Sequence, residues 1–134
     1  MKWTDKQPSF GDIIRTKVTF YHHYGIFVSP DEVIQFGTPD NVSQPAESVK
    51  VLTTDIYAFM GKGEIEVGEA EMAELATLKK AQERVSTARS RLGEGGYDIL
   101  HNNCEHFVYE CAFGQKKSFF LDDVRESLRK KLKK

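Results

Sequence analysis

The hydrophobic pattern changes character near the middle of the chain, and this change limits the fold more than any other feature. Short apolar runs separated by turn-forming residues fill the first half and predict β-strands. Apolar residues at helical spacing fill the second half and predict amphipathic helices. Strands followed by helices are typical of an α+β fold, in which helices pack on an antiparallel sheet. With 134 residues, of which 40% are hydrophobic, the chain is expected to form a single domain, 1–134, with one core.

The predicted helices are set by their start and stop signals. Thr54 is expected to cap a short helix that ends at Gly61. A long helix is predicted over 69–92, because this segment contains neither glycine nor proline. Asn102 and Glu105 have the spacing of a capping box, so the next helix is expected to begin at about residue 103. The predicted strands are 13–16, 24–28, 32–36, 49–52 and 64–67.

The overall charge argues against a nucleic-acid-binding protein, and the spacing of the cysteines argues against a disulfide. A formal net charge of -1 and a sequence pI of about 6.4 argue against a nucleic-acid binder. The two cysteines, Cys104 and Cys111, would lie roughly 10 Å apart along one helix, which is too far for a disulfide. Reduced thiols and the lack of an apolar leader or spanning segment predict a soluble, cytoplasmic protein.

The C-terminal segment, 114–134, is predicted to be a basic amphipathic helix. Its apolar side chains are expected on one face, which is more often a core-facing arrangement. The aromatic pair Phe119 and Phe120 ahead of many basic residues also fits peripheral contact with an anionic membrane, so both interpretations stay open. The apolar face consists of Leu121, Val124, Leu128 and Leu132.

Cys104 is a candidate nucleophile because it lies at a predicted helix start. Unpaired N–H groups and the positive end of the helix dipole favour a thiolate there, and the thiolate is the reactive form. The alternative is a buried structural thiol, since free cysteines are often buried. Cys111, two turns further along, is predicted to be a packed core thiol.

His23 is the candidate base for this thiol. It leads into a predicted strand, and the following hairpin brings Gln35 back to the same region. An imidazole that accepts a thiol proton needs an acceptor to orient its second N–H group, and the Gln35 amide oxygen offers one. His22 is the alternative base, although strand alternation directs it to the opposite face. Gln35 is alternatively only a satisfied polar group of the hairpin.

A metal site is not expected. His101, Cys104 and His106 are close in sequence, but their spacing fits no closed zinc set. His106 is predicted to be a structural histidine that fastens the helix to the sheet. A thiol nucleophile with an imidazole base requires neither a metal nor an organic cofactor.

Three motifs resemble those of one family. Asn-Cys-Glu-His-Phe-Val at 103–108 resembles the nucleophile motif of the lecithin:retinol acyltransferase-like (NC-domain) proteins. Residues 11–14 are similar to the opening strand of that family, and 21–28 are similar to its histidine strand. The resemblance runs from about residue 10 to residue 113, in the family's own order.

The resemblance implies a circularly permuted papain-like fold, related to the NlpC superfamily, and acyl transfer through a thioester. It assigns Cys104 as the nucleophile, His23 as the base and Tyr21 as an oxyanion contact. The backbone N–H of Cys104 is expected to be a further oxyanion donor, each donor being typically worth about 3 kcal/mol. Gln35 departs from the family, because the better-known animal enzymes have a second histidine there. Those enzymes also often end in a membrane-spanning helix, whereas this chain ends in a basic one.

The resulting hypothesis is a thiol acyltransferase or phospholipase A-like hydrolase acting on a phospholipid or similar ester. Two alternatives stay open. One is a cysteine peptidase or amidase of the NlpC type. The lack of an export signal and of a wall-binding module in the sequence argues against it. The other is a non-catalytic interaction module that has kept the fold after loss of the second histidine.

Overall fold

The fold is organised around one antiparallel sheet. The computed structural model describes residues 1–19, 21–39, 45–115 and 119–132. Within them six strands pair in the order β1-β6-β2-β3-β4-β5, and every pairing is antiparallel. The predicted strands are confirmed. The strand bounds are β1 Lys2–Thr4, β2 Ile13–Val18, β3 Tyr21–Ser29, β4 Glu32–Gly37, β5 Lys50–Thr54 and β6 Ile65–Glu69.

Helices flank this sheet on both faces and complete an α+β fold, as predicted. The same described residues form five α-helices and one short 3-10 helix. These are the 3-10 helix Ala46–Ser48, then α1 Ile56–Met60, α2 Met72–Leu75, α3 Ala81–Ser90, α4 Cys104–Phe113 and α5 Phe119–Leu132.

Strand alternation divides the apolar side chains between the two faces of the sheet. On one face, Tyr24 and Ile26 of β3 belong to a core cluster with residues of α3 and α4. On the other face, Phe27 of β3 packs in a second cluster with Phe59 of α1. His23 shares its face with Phe27, and its ring lies 5.2 Å from that of Phe59. Position 23 is therefore directed to the α1 side of the sheet.

The predicted long helix over 69–92 is wrong. Strand β6 extends to Glu69, and the rest of the segment is divided into α2 and α3. Three hydrogen bonds hold the break, and two of them reach distant parts of the chain. The Lys79 N–H donates to the Ala112 carbonyl of α4 at 2.8 Å, and the Arg84 guanidinium donates to the carbonyls of Lys79 (2.5 Å) and Gly11 (2.7 Å). Because these bonds replace helical ones, the local helix propensity is overridden.

Two predicted helix caps are also wrong by one residue. Asp55, not Thr54, caps α1, because its carboxylate accepts the Ala58 N–H at 2.7 Å. The capping box of α4 joins Asn103 to His106, one residue beyond the predicted pair. Strand β1 was not predicted, because its three residues show no alternating pattern. They form a strand only by pairing with β6.

The C-terminal helix is confirmed as α5. Leu121 is buried, but exposure of the apolar side chains then rises along the helix, from Val124 (41%) through Leu128 (54%) to Leu132 (86%). Core packing therefore explains only the first turn. The side chains of the predicted aromatic pair, Phe119 and Phe120, lie outside the described residues, as do 116–118, 133 and 134. No helix in the described ranges has the length and apolar character needed to cross a bilayer.

Candidate active site

Asn103 fixes the start of α4 and with it the position of Cys104. Its side-chain oxygen accepts the His106 N–H at 2.9 Å, and its own N–H donates to His106 Nδ1 at 3.0 Å. The Asn103 amide nitrogen also donates to the Ile99 carbonyl at 2.8 Å, which ties the cap to the preceding turn. His106 is structural, as predicted, but these hydrogen bonds close the cap of its own helix and do not join the helix to the sheet.

The Cys104 thiol is buried at the junction between α4 and the sheet. Burial raises its pKa to about 11, and the charge of Glu105 also raises it. The backbone N–H groups of Tyr24, Glu105 and Cys104 act in the opposite direction and lower it. The predicted low pKa is therefore wrong for the resting protein, because desolvation outweighs the helix start.

The opening that receives the start of α4 lies between β3 and β4. The ladder between these strands ends at the pair Gly25–Gln35, although β3 begins at Tyr21 and β4 runs on to Gly37. Beyond that pair β4 continues beside β5 only. Helix α4 packs on both β3 and β4, and the Tyr24 N–H interacts with the Cys104 sulfur. The diverging strands thus leave a backbone donor for the thiol immediately after His23.

His23 and Gln35 are brought together, as the sequence predicts. His23 Nε2 lies 2.5 Å from Gln35 Oε1, and both side chains are buried. Since an amide oxygen only accepts, Nε2 must carry the hydrogen, and Nδ1 then has a free lone pair. Burial lowers the pKa of His23, while the hydrogen bond to Gln35 raises it. Because burial is the larger effect, the neutral imidazole is favoured, and in that form Nδ1 can accept a proton.

Three residues that sequence reasoning missed hold this pair in place. Thr54 accepts a hydrogen bond from Gln35 Nε2 at 2.7 Å. Phe59 covers the His23 ring from α1. Gly37 leaves the space the ring occupies, because a Cβ there would lie 2.9 Å from His23 Cε1 and 3.1 Å from Gln35 Oε1. The glycine at the end of a strand pattern was the one signal that sequence reasoning had available for this close approach.

The alternative base His22 lies on the other side of β3. Its Nε2 is 3.7 Å from Glu66 Oε1, and its pKa is lowered by burial and by Arg15. His22 is thus directed towards β6 and away from Gln35.

Besides Tyr24, two other phenols interact electrostatically with the Cys104 sulfur. Tyr21 is 45% exposed, and its pKa is raised by burial and by the charge of Cys104. Tyr97 precedes the α4 cap, and its pKa is raised by burial and by the charges of Cys104 and Tyr21. Both hydroxyls are therefore within electrostatic reach of the thiol and of each other. The family resemblance assigns Tyr21 as an oxyanion contact and gives Tyr97 no role.

The remaining candidates are accounted for elsewhere. Cys111 is fully buried in the core between the sheet and α4, as predicted, and both cysteines are free thiols. His101 is exposed, with Nδ1 3.4 Å from Asp98 Oδ2. In the described part of the chain, no three histidine, cysteine, aspartate or glutamate side chains form a group that could hold a metal ion.

Comparisons with known proteins agree with the motifs. The family model for lecithin retinol acyltransferase matches residues 6–117. Mouse lecithin retinol acyltransferase is 28% identical over 143 residues, which cover 89% of this chain and 62% of that protein. Human phospholipase A and acyltransferase 3 is 28% identical over 128 residues, covering 88% of this chain and 78% of the relative. The mouse form of the latter is 27% identical over 133 residues, covering 92% and 80%.

Proposed function

The chain belongs to the lecithin retinol acyltransferase family, and from that premise we propose that it transfers or hydrolyses the acyl group of a phospholipid-like ester through a thioester on Cys104. The relatives are named as acyltransferases and as a phospholipase A and acyltransferase. The chain spans only about 62% of the length of the first of them. The proposal therefore rests on the site itself as much as on the relatives.

In the first half-reaction His23 Nδ1 takes the thiol proton while Cys104 Sγ attacks the ester carbonyl carbon. The carbonyl oxygen becomes an oxyanion, stabilised by the Cys104 N–H and the Tyr21 hydroxyl. When the tetrahedral intermediate collapses, the bond to the glycerol oxygen breaks and His23 protonates that oxygen. A lyso-lipid leaves, and the acyl group stays on sulfur as a thioester.

In the second half-reaction an acceptor replaces the leaving group. Water, an alcohol or an amine loses a proton to neutral His23 and attacks the thioester carbonyl. The carbon–sulfur bond breaks, and the proton returns from His23 to Cys104 Sγ. Throughout both steps Gln35 accepts the Nε2–H bond and keeps the imidazole in the tautomer that exposes Nδ1.

One observation carries this proposal: a neutral, oriented imidazole next to a backbone N–H that contacts the thiol. His23 is held by Gln35 at 2.5 Å, and the N–H of the very next residue, Tyr24, interacts with the Cys104 sulfur. A buried thiol with a raised pKa needs a base close by, because its own ionisation near neutral pH is rare. His23, which precedes that N–H in the chain, is the base we propose.

Intact-mass analysis after incubation with phosphatidylcholine tests the proposal. We expect an acyl adduct on the native protein and on Cys111→Ala, which removes the other thiol, and none on Cys104→Ala. His23→Ala should slow adduct formation by about 10²- to 10⁴-fold. If no lipid ester acylates the protein but a peptide amide is cleaved, the peptidase alternative replaces this one. If neither reaction occurs, the chain is a non-catalytic module.

We further propose that α5 makes peripheral contact with an anionic membrane. The exposed apolar residues Val124, Leu128 and Leu132 lie on a helix whose last turn carries Arg129, Lys130 and Lys131. An exposed apolar stripe with basic neighbours is typical of helices that lie in the lipid interface. Such contact would bring the active site to its substrate.

A further inference from the structure

We propose that Thr54 is a positioning residue, which acts through Gln35 to hold His23 in its proton-accepting arrangement. The inference rests on the proposed function, in which His23 Nδ1 is the base. Thr54 itself touches neither His23 nor the thiol in this scheme.

The contacts form a short chain across three strands. Gln35 on β4 pairs directly with Leu52 of β5, and Thr54 lies two residues further along β5, beside Val33. Gln35 and Thr54 are therefore diagonal neighbours on the same face of the sheet, close enough for side-chain contact. The Gln35 amide spans the gap, with Oε1 at His23 (2.5 Å) and Nε2 at Thr54 Oγ1 (2.7 Å).

The burial of Gln35 makes the second contact important. Its side chain is fully buried, so each end of the amide needs a partner inside the protein. His23 satisfies one end and Thr54 the other. Without the hydroxyl, the buried NH₂ group has no acceptor in this arrangement. Rotation of the amide towards another partner would then lower the free energy of the protein.

Rotation of the amide would weaken its hold on the imidazole. The ring of His23 is packed by Phe59 on one side and lies against Gly37, so the amide oxygen is the polar group that fixes its rotation about Cβ–Cγ. The same hydrogen bond raises the pKa of His23 against the effect of burial. Loss of Thr54 is thus expected to affect both the geometry and the proton affinity of the base.

The test compares Thr54→Val, which removes the hydroxyl at nearly constant volume, with Thr54→Ser, which keeps it. Thr53→Val is the matched control, because Thr53 is an exposed neighbour on the same strand that faces away from Gln35. In phospholipid hydrolysis we expect Thr54→Val to lower kcat about tenfold or more with little change in KM, since misplaced catalytic groups are costly. Thr54→Ser and Thr53→Val should stay within about twofold of the native protein.

Two readouts separate positioning from a general structural effect. The acidic limb of the pH–rate profile should move to lower pH in Thr54→Val, because the bond that raises the His23 pKa is weakened. The effect of Thr54→Val on kcat should also vanish in a Gln35→Ala background, since a residue that acts through Gln35 has nothing to act on there. Equal losses in both backgrounds, or an unmoved acidic limb, would overturn the inference.

A measurement on the resting protein keeps the inference testable if the proposed function fails. The buried, hydrogen-bonded Nε2–H of His23 should exchange slowly with solvent and give an observable proton resonance in ¹⁵N-edited spectra of the native protein and Thr54→Ser. In Thr54→Val this resonance should be lost or broadened. An unchanged resonance would refute the positioning role, whether or not any lipid is acylated.

Discussion

At the scale of single residues, the candidate site is a neutral pair and not a preformed ion pair. Burial raises the pKa of Cys104 to about 11, so the neutral thiol predominates near pH 7. Burial also keeps His23 uncharged. The thiol proton must therefore pass to His23 as the sulfur attacks, which makes the orientation of the imidazole decisive.

The pH dependence of kcat/KM follows from this state. A base must be unprotonated, so the rate rises as His23 loses its proton, and burial lowers its pKa below the ordinary value of 6.5. We expect half-maximal kcat/KM below about pH 6.5 and a flat profile from about pH 7 to about pH 9. Initial rates on a short-chain ester would measure this, with circular dichroism showing that the fold persists across the range.

An ion pair would behave differently at the alkaline end. There the imidazolium is the required form, and its loss lowers the rate as pH rises. A fall in kcat/KM between about pH 7 and about pH 9 would therefore contradict the neutral pair. Cys104→Ala serves as the blank for uncatalysed hydrolysis.

The residues that could be predicted are those marked by local pattern. Cys104 follows a recognisable helix start, and the hairpin places Gln35 opposite the region of His23. Thr54 and Phe59 could not be assigned in this way, because their roles depend on which strands pair and on where α1 packs. The direction of the Cys104 pKa was missed for the same reason: desolvation depends on tertiary packing and is invisible in a helix-start motif.

At the scale of elements, the start of α4 is the most consequential feature. Asn103 makes two hydrogen bonds within the cap and one to the preceding turn. The next residue in the chain is the proposed nucleophile. Any loosening of the cap is therefore passed directly to Cys104.

Removal of this cap should be measurable as lost stability. We expect Asn103→Ala to lower the free energy of unfolding by about 1 kcal/mol, as is typical when a helix loses its cap residue. Urea denaturation would measure the difference. Asn103→Asp keeps the acceptor for the His106 N–H and should recover most of the loss.

Asn102→Ala is the matched control for this prediction. Its side chain donates to the Gly96 carbonyl at 3.0 Å and lies outside the cap. A loss for Asn102→Ala equal to that for Asn103→Ala would contradict the observed cap and favour the pairing with Glu105 that the sequence alone suggested.

Helices were harder to predict than strands for a physical reason. A segment without glycine or proline, such as 69–92, has a high local helix propensity, but propensity differences are only fractions of a kcal/mol per residue. Lys79 and Arg84 make hydrogen bonds to Ala112 and Gly11, which are remote in sequence. These tertiary bonds decide where α2 ends and α3 begins, and no local pattern encodes them.

At the scale of the whole molecule, the proposed base His23 and the proposed nucleophile Cys104 are held by residues on opposite faces of the sheet. The α1 face holds His23, Gln35 and Thr54, whereas α4 presents Cys104 from the cluster on the opposite face. The strands β3 and β4 part beyond Gly25, beside Tyr24, whose N–H interacts with the Cys104 sulfur. The α+β class could be predicted from the two halves of the chain, but the parting of the strands could not, because it depends on where a ladder ends.

Helix α5 extends the molecule with a surface of a different kind. Its first turn is anchored through buried Leu121, and its later apolar side chains are exposed. Arg125 and Arg129 are close to acidic residues of the same helix, Asp122 (3.9 Å) and Glu126 (3.3 Å). The excess of positive charge therefore lies at the end of the helix, where Lys130 and Lys131 are followed in sequence by two more lysines.

Vesicle co-sedimentation of the full chain tests whether this surface contacts membranes. We expect binding to vesicles that contain phosphatidylserine, weaker binding to pure phosphatidylcholine, and a decrease with added salt. Neutralising Arg129, Lys130 and Lys131 to glutamine should weaken binding to anionic vesicles by about 1 kcal/mol per charge.

A second set of variants distinguishes α5 from general electrostatic attraction. Lys2, Lys17 and Lys62 are exposed lysines elsewhere on the molecule, and their triple change to glutamine removes the same charge. That control should bind like the native chain. The double variant Val124→Ser with Leu128→Ser should lose binding to weakly charged vesicles, because the apolar stripe supplies the insertion energy. Equal weakening in both charge variants would show that net charge, and not this helix, governs attraction to the membrane.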